Sequence, residues 1–152
     1  MRSMMTILSA ICASCASTGA SGVDGLPSSR QAVSSALYDF DSGKIKDRGF
    51  VSVSGYLTFG DDKHNLWESS RAYEYIKEKM PPLGDRAWKE CISLSFYGNF
   101  RRSLKKYDGK EVIISGYIYR HTPARDEVNL GSCNEIFISM EGPGARVAPV
   151  RE

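Results

Sequence analysis

Two long stretches of this chain alternate apolar and polar residues and carry a Gly at the same place. Residues 49–59 read GFVSVSGYLTF and residues 110–119 read KEVIISGYIY. A period of two is the pattern of a strand with one buried face. In both stretches Ser-Gly-Tyr follows β-branched residues, and a Gly inside a strand indicates a bulge or a sharp bend. We therefore expect two long strands, bent at Gly55 and Gly116, that pair side by side in a coiled sheet.

Shorter elements fill the rest of the chain. Alternation predicts strands at 64–67, 90–96 and 135–139. Capping residues and apolar spacing predict helices at about 29–37, 70–80 and 99–105, the second ended by Pro81-Pro82 and the third by Asp108-Gly109. Residues 60–63 and 122–132 read as a turn and a polar loop.

One domain accounts for the length and composition. The chain has 152 residues, of which 41% are hydrophobic and 25% charged, which excludes collagen-like, disordered and multi-span membrane classes. Its net charge is +2, so any preference for polyanions must come from local clusters. We expect a signal peptide at 1–20, a flexible or helical lead at 21–48, the folded domain at 49–142 and a disordered tail at 143–152.

The N-terminus has the order of a secretory signal. Arg2 precedes an apolar run at 4–13 and then small residues, and the first 20 residues contain no Asp or Glu. The apolar run is far shorter than the roughly 20 residues that span a bilayer. We expect a mature chain that begins between Cys15 and Ser21 and is exported, to a periplasmic space or to the medium. The bland alternative is a weakly hydrophobic terminus of a cytosolic protein.

Cys15 is a candidate lipidation site within this segment. Ala13 and Ser14 before it resemble the small-residue end of a lipoprotein cleavage site, although Cys12 stands where Leu, Val or Ile is usual. If Cys15 is lipidated, that anchor is the membrane contact that the sequence predicts.

Two cysteines, Cys91 and Cys133, are left after the signal. An even pair in an oxidising compartment predicts a disulfide, closing a loop of about 40 residues and contributing roughly 3–4 kcal/mol. Two buried thiols are the alternative. Two cysteines with no paired His at ligand spacing do not complete a tetrahedral metal site.

The order strand, strand, strand, helix, strand, strand resembles the OB-fold. More narrowly, Tyr107-Asp-Gly-Lys110 running into a Val/Ile-x-Gly-Tyr strand resembles small exported bacterial OB-like proteins, most of them uncharacterised. The resemblance covers 49–141. It implies a mainly β, five-stranded OB-like barrel, with a helix between strands three and four, a helical insertion between strands two and three, and the first strand paired with the fourth. An open α+β sandwich is the alternative.

Two sets of residues are candidates for binding. Aromatic residues lie on or near the strands whose outer face binds ligands in OB-folds: Tyr56, Trp67, Tyr117 and Tyr119. Basic residues share one broad face of the helix before strand four, next to Lys110: Arg101, Arg102, Lys105 and Lys106. Aromatic platforms beside basic residues suit single-stranded nucleic acid or sugar rings, although such rings often pack under other elements and such charges often only face solvent.

Catalytic chemistry has weaker signals. His64 follows Asp61 and Asp62, and His121 lies near Asp126 and Glu127. Either set could ligate a metal, or could pair a general base with the carboxylate that orients it. An Asp-rich turn usually serves the turn itself. We predict no catalytic residues, no metal and no cofactor.

The sequence thus predicts an exported, non-enzymatic binding module of the cell envelope that recognises a ligand or a protein partner. A protein outside the cytosol rarely meets nucleic acid as its working partner. The alternatives are a single-stranded nucleic-acid-binding OB domain and a small hydrolase with a His-containing site.

Overall fold

The computed structural model of the chain describes residues 29–60, 64–79, 90–98, 100–122 and 133–150. The predicted signal peptide, Cys15, and the carboxylates expected near the histidines (Asp61, Asp62, Asp126 and Glu127) lie outside the described residues.

The described elements follow the sequence prediction closely between residues 49 and 139. The strands are β1 (Gln31–Ala32), β2 (Gly49–Phe59), β3 (His64–Trp67), β4 (Cys91–Ser95), β5 (Lys110–Arg120), β6 (Ile136–Ser139) and β7 (Arg146–Pro149). The helices are α1 (Val33–Asp41), α2 (Ser70–Lys79) and α3 (Phe100–Lys105).

Five of the strands close into a barrel. The order is β2-β3-β4-β6-β5, and β5 returns to pair with β2 over nine residue pairs, from Gly49↔Ile118 to Leu57↔Lys110. The pairing of β4 with β6 is parallel, and the other barrel pairings are antiparallel. With α2 between the second and third barrel strands and α3 between the third and fourth, the predicted OB-like barrel is confirmed over the open sandwich.

The two glycines of the repeated Ser-Gly-Tyr segment mark the points where the long strands change neighbours. Along its other edge β2 pairs with β1 before Gly55 and with β3 after it. In the same way β5 pairs with β7 before Gly116 and with β6 after it. A Cβ atom would collide with the carbonyl oxygen of Trp67 at Gly55 and with that of Ser139 at Gly116. The glycines let a neighbouring backbone pass close to the strand.

The repeat is also symmetric in space. Gly55 pairs with Val112 and Val51 pairs with Gly116, so the two copies face each other where β2 pairs with β5. We refer to this pairing as the β2–β5 seam. Their local two-fold axis passes through the Val53↔Ile114 pair.

The core lies inside the barrel and under α1. The inward side chains of β2 and β5 (Val51, Val53, Leu57, Val112, Ile114 and Ile118) meet Leu66, Ile92 and Ile138. Val33 and Ala36 of α1 and Leu104 of α3 are fully buried in the same cluster. Amphipathic spacing in these short helices therefore places them against the barrel.

α1 has no capping side chain of its own. Ala32 stands at its N-cap, and the Glu68 carboxylate, just after β3, accepts the Ser34 N–H at 2.7 Å instead. The buried Asp39 later in α1 accepts hydrogen bonds from Gln31 Nε2 at 2.8 Å and Lys44 Nζ at 3.0 Å. These contacts join the helix to the strands and turns around it.

The ends of the domain differ from the sequence prediction. The segment 143–152 was predicted as a disordered tail, but Arg146–Pro149 forms β7 along residues 112–115 of β5, with Val147 against the core. The edge of β5 that β6 leaves open provides this pairing. The predicted lead at 21–48 contains α1, whose apolar face belongs to the core, so the folded domain begins before residue 49. Of the helices described, none has the length and apolar character needed to cross a bilayer.

Candidate functional site

The predicted aromatic surface at Tyr56 and Trp67 is covered by α2. Trp67 is only 6% exposed, and it packs with Tyr56 and with Tyr73 and Ile76 of α2. The ring centroid of Tyr73 lies 5.5 Å from that of Trp67 and 6.0 Å from that of Tyr56. The Trp67 indole N–H donates a hydrogen bond to Thr58 Oγ1 at 2.9 Å. The open platform expected here from the sequence is therefore replaced by a packed cluster, because the inserted helix lays its apolar side chains on it.

The disulfide belongs to the same cluster. Cys91 and Cys133 are bonded, with Cα atoms 6.1 Å apart, as the sequence predicted. Cys133 N–H donates to Ser93 Oγ at 3.0 Å, and the Asn134 side-chain amide donates to the Cys91 carbonyl. Residues 133–135 are thereby fastened across the outer side of β4.

Tyr117 and Tyr119 have different surroundings. The Tyr117 hydroxyl donates to the Pro143 carbonyl at 3.0 Å, which holds its ring against the turn that leads into β7. Tyr119 stacks on Phe137 at 5.7 Å and reaches Ser95 Oγ at 3.1 Å. Both rings are half-buried, so neither presents a fully open face.

The basic residues predicted on α3 are all exposed. Leu104 is fully buried and fixes the rotation of the helix on the barrel. Arg101, Arg102, Lys105 and Lys106 stand outside it, together with Lys110 at the start of β5. We refer to these five residues as the basic face.

The stretch of sequence that carries the basic face has more cations than carboxylates. Residues 98–111 contain its five cations and two carboxylates, those of Asp108 and Glu111. Asp108 Oδ1 accepts the Phe59 N–H at 2.8 Å and is engaged with the backbone. Within the described part of the chain, the ion pairs involve other residues and leave Arg102, Lys105, Lys106 and Lys110 without a carboxylate partner.

The cations of the basic face include two like-charged pairs about one helical turn apart. Arg101 and Lys105, and likewise Arg102 and Lys106, are four residues apart, and the Lys106 N–H still donates to the Arg102 carbonyl at 3.4 Å. Like charges at this spacing cost about 0.2–0.5 kcal/mol per pair. Arg102 and Lys105 lie in the last turn of α3, where cations stabilise a helix, which offsets this cost.

An aromatic cluster borders the basic face. The Phe59 ring lies 4.7 Å from His64 and 5.7 Å from Phe96, and the Arg101 guanidinium is 6.0 Å from Phe59. Phe59 is buried, whereas the neighbouring Tyr97 is 79% exposed. Phe59, Phe96 and Tyr97 were not predicted from the sequence as part of a site. The alternation ending at Phe59 and Phe96 was the available signal, but it indicated only core positions.

The histidines are components of aromatic clusters. His64 lies 4.8 Å from Phe96, and His121 lies 5.6 Å from Phe137 on a different strand pair. Among the residues that the structure describes, no three His, Cys, Asp or Glu side chains are grouped so that they could hold a metal ion.

A cavity of about 460 Å³ opens beside the turn between α1 and β2. Its lining includes Phe40, Ile45, Lys46 and Arg120. The Arg120 guanidinium pairs with Asp41 at 2.6 Å and with Glu135, and lies 5.8 Å from the Phe40 ring. Its charge is therefore already balanced by carboxylates.

Comparison of the chain with protein-family models, curated proteins and solved structures finds no match.

Proposed function

We propose that the chain is an exported, non-enzymatic binding module of the cell envelope that recognises an anionic ligand or protein partner through the basic face. The observation that carries the proposal is the set of exposed cations on α3 and just after it, where the buried Leu104 holds the helix on the barrel. Clustered cations with few neighbouring carboxylates produce a local positive potential even when the whole chain is nearly neutral.

The basic face is built on a folded support. The buried Leu104 holds α3 on the closed barrel, and a preorganised site lowers the entropy lost on binding. A disulfide also suits the oxidising compartment into which the sequence predicts export. The burial of Trp67 under α2 counts against the alternative of a single-stranded nucleic-acid binder, because stacking needs exposed rings.

The binding test compares two triple variants with the same net charge. Arg102→Gln/Lys105→Gln/Lys106→Gln neutralises the basic face, and Arg71→Gln/Lys77→Gln/Lys79→Gln neutralises exposed cations of α2. With heparin as the polyanionic probe, we expect the first variant to lose at least about tenfold in affinity. The slope of log K against log salt should also become less steep by about 2. Equal losses in the two variants, or no loss in the first, would contradict the proposal.

Export has its own test. The chain is recovered from cells that process it, and the mass of its N-terminal peptide is measured. We expect a start between Cys15 and Ser21, with an added acyl mass if Cys15 is lipidated. An intact Met1 terminus in a cytosolic fraction would rule out the envelope location.

A further inference from the structure

We infer that the basic face docks on a lipid bilayer rich in anionic headgroups, with Tyr97 entering the headgroup region. This inference rests on the binding role proposed above and names the partner. Its two supports are the charge of the basic face and the exposed ring beside it.

Charge complementarity is the first support. Arg102, Lys105, Lys106 and Lys110 are exposed on one small part of the barrel, on flexible side chains that extend from a fixed backbone. An anionic membrane surface attracts each nearby Lys or Arg by roughly fivefold in binding constant. An extended anionic plane contacts several such side chains together without a shaped pocket.

Tyr97 is the second support. It is 79% exposed and lies three residues before α3, whereas Phe59 beneath the basic face is buried. Tyr is enriched at membrane interfaces because its ring is apolar and its hydroxyl remains hydrated. An isolated ring of this kind beside a cationic patch fits a bilayer surface.

Single-stranded nucleic acid fits the same surface less well. It is bound through successive exposed rings on which several bases stack. Here Phe59 is buried in the aromatic cluster, and Tyr56 and Trp67 pack under α2. Oligonucleotide binding is accordingly an outcome that the experiment must distinguish.

The test measures how the full chain partitions onto vesicles of two compositions, phosphatidylcholine alone and an equal mixture with phosphatidylglycerol. An apolar N-terminus that inserts into the bilayer raises both partition coefficients, so its contribution cancels in their ratio. The ratio therefore reports the effect of headgroup charge. We expect Arg102→Gln/Lys105→Gln/Lys106→Gln to lower the ratio by roughly 100-fold, from about fivefold per cation. The Arg71→Gln/Lys77→Gln/Lys79→Gln control should leave it within about threefold, since these three cations are not part of the basic face and exposed charges beyond about 10 Å are largely screened.

Tyr97→Ser separates a bilayer from other polyanions. We expect this variant to partition onto the mixed vesicles about fivefold less, because it lacks the apolar ring area that the bilayer removes from water. Its affinity for heparin should be unchanged. Tyr38→Ser is the matched control, since Tyr38 is 73% exposed but lies on α1, and it should change neither measurement.

The outcomes are distinct. Heparin binding that depends on the basic face, with a vesicle ratio near one, overturns the bilayer inference and leaves the proposed function standing. Tight, salt-sensitive binding of a single-stranded oligonucleotide with the same vesicle result also overturns it. Failure to bind either heparin or anionic vesicles overturns both the inference and the proposed function.

Discussion

The charged residues Arg30, Glu68 and Glu111 lie near one another, close to the start of α1 and the β2–β5 seam. Glu68 caps α1 through the Ser34 N–H, and Glu111 pairs with Tyr56 across the β2–β5 seam. Partial desolvation raises the pKa of the Glu111 carboxyl above its usual range, although the residue is largely exposed, while the Arg30 guanidinium lowers this pKa and the Glu68 carboxylate raises it. The ionised form of Glu111 is therefore less favourable in the folded chain than in the unfolded chain.

This pKa shift predicts a pH-dependent effect of Glu111→Gln. A raised folded-state pKa means that protonation stabilises the fold below the unfolded pKa, and that this contribution is lost as pH rises through the folded pKa. We expect Glu111→Gln to raise the free energy of unfolding at pH 7 and to have little effect at about pH 3.5, where the native carboxyl is protonated. Denaturant titrations at both pH values measure this. Glu78→Gln, at an exposed position on α2, is the control, and a gain that persists at low pH would show another cause.

At the scale of elements, β2 and β5 do more than form the barrel seam. Each strand has one edge along the seam and shares its other edge between two partners, and the change of partner falls at Gly55 or Gly116. The repeated Ser-Gly-Tyr segment records this shared geometry in the sequence. Short strands such as β1 and β7 leave a weaker signal, because two to four residues do not establish a period.

We expect Gly55→Ala and Gly116→Ala each to destabilise the fold by about 3 kcal/mol, through overpacking against a backbone carbonyl that cannot rotate away. Gly43→Ala is the matched control. Its φ is +75°, but an added Cβ meets nothing within 4 Å, so only the cost of about 1 kcal/mol for a left-handed backbone applies. Chemical denaturation measures all three variants. Losses no larger than that of Gly43→Ala would show that the strands can separate at these positions.

At the scale of the whole molecule, the disulfide links the start of β4 to the segment before β6 across a sequence separation of 42 residues. We expect Cys91→Ala/Cys133→Ala to lower the free energy of unfolding by about 4 kcal/mol, from the loop entropy returned to the unfolded chain. Urea titration of the variant and of the oxidised native chain measures the difference. Thiol labelling of the denatured, unreduced chain should find neither cysteine, and stoichiometric labelling of both would contradict the pairing.

Strand alternation and the Gly repeat predicted the strands and the pairing of the two long ones, whereas closure into a five-stranded barrel was what the resemblance to the OB-fold implied. The exposure of Trp67 was harder to predict, because an aromatic residue on an outer strand face gives the same sequence pattern whether it is exposed to solvent or covered by another element. Only the position of Tyr73 and Ile76 on a mostly polar α2 decides that it is covered. The cations of α3 could be predicted as exposed, since Leu104 defines the inner side of the helix. Tyr97 lies in a short connection after β4, where no periodic pattern predicts burial or exposure. Its exposure is known from the structure alone.

The β2–β5 seam also sets the order of events during synthesis. About 50 residues separate the end of β2 from the start of β5, which takes the ribosome roughly 3–10 s to add. Until then, the edge of β2 that will face β5 has unpaired backbone groups, which is the kind of edge that recruits other chains. The face of β2 that is not buried in the core carries three hydroxyl side chains, those of Ser52, Ser54 and Thr58, and two aromatic rings, those of Phe50 and Tyr56. A nascent chain therefore exposes one apolar face and one mixed face of its longest early strand for several seconds.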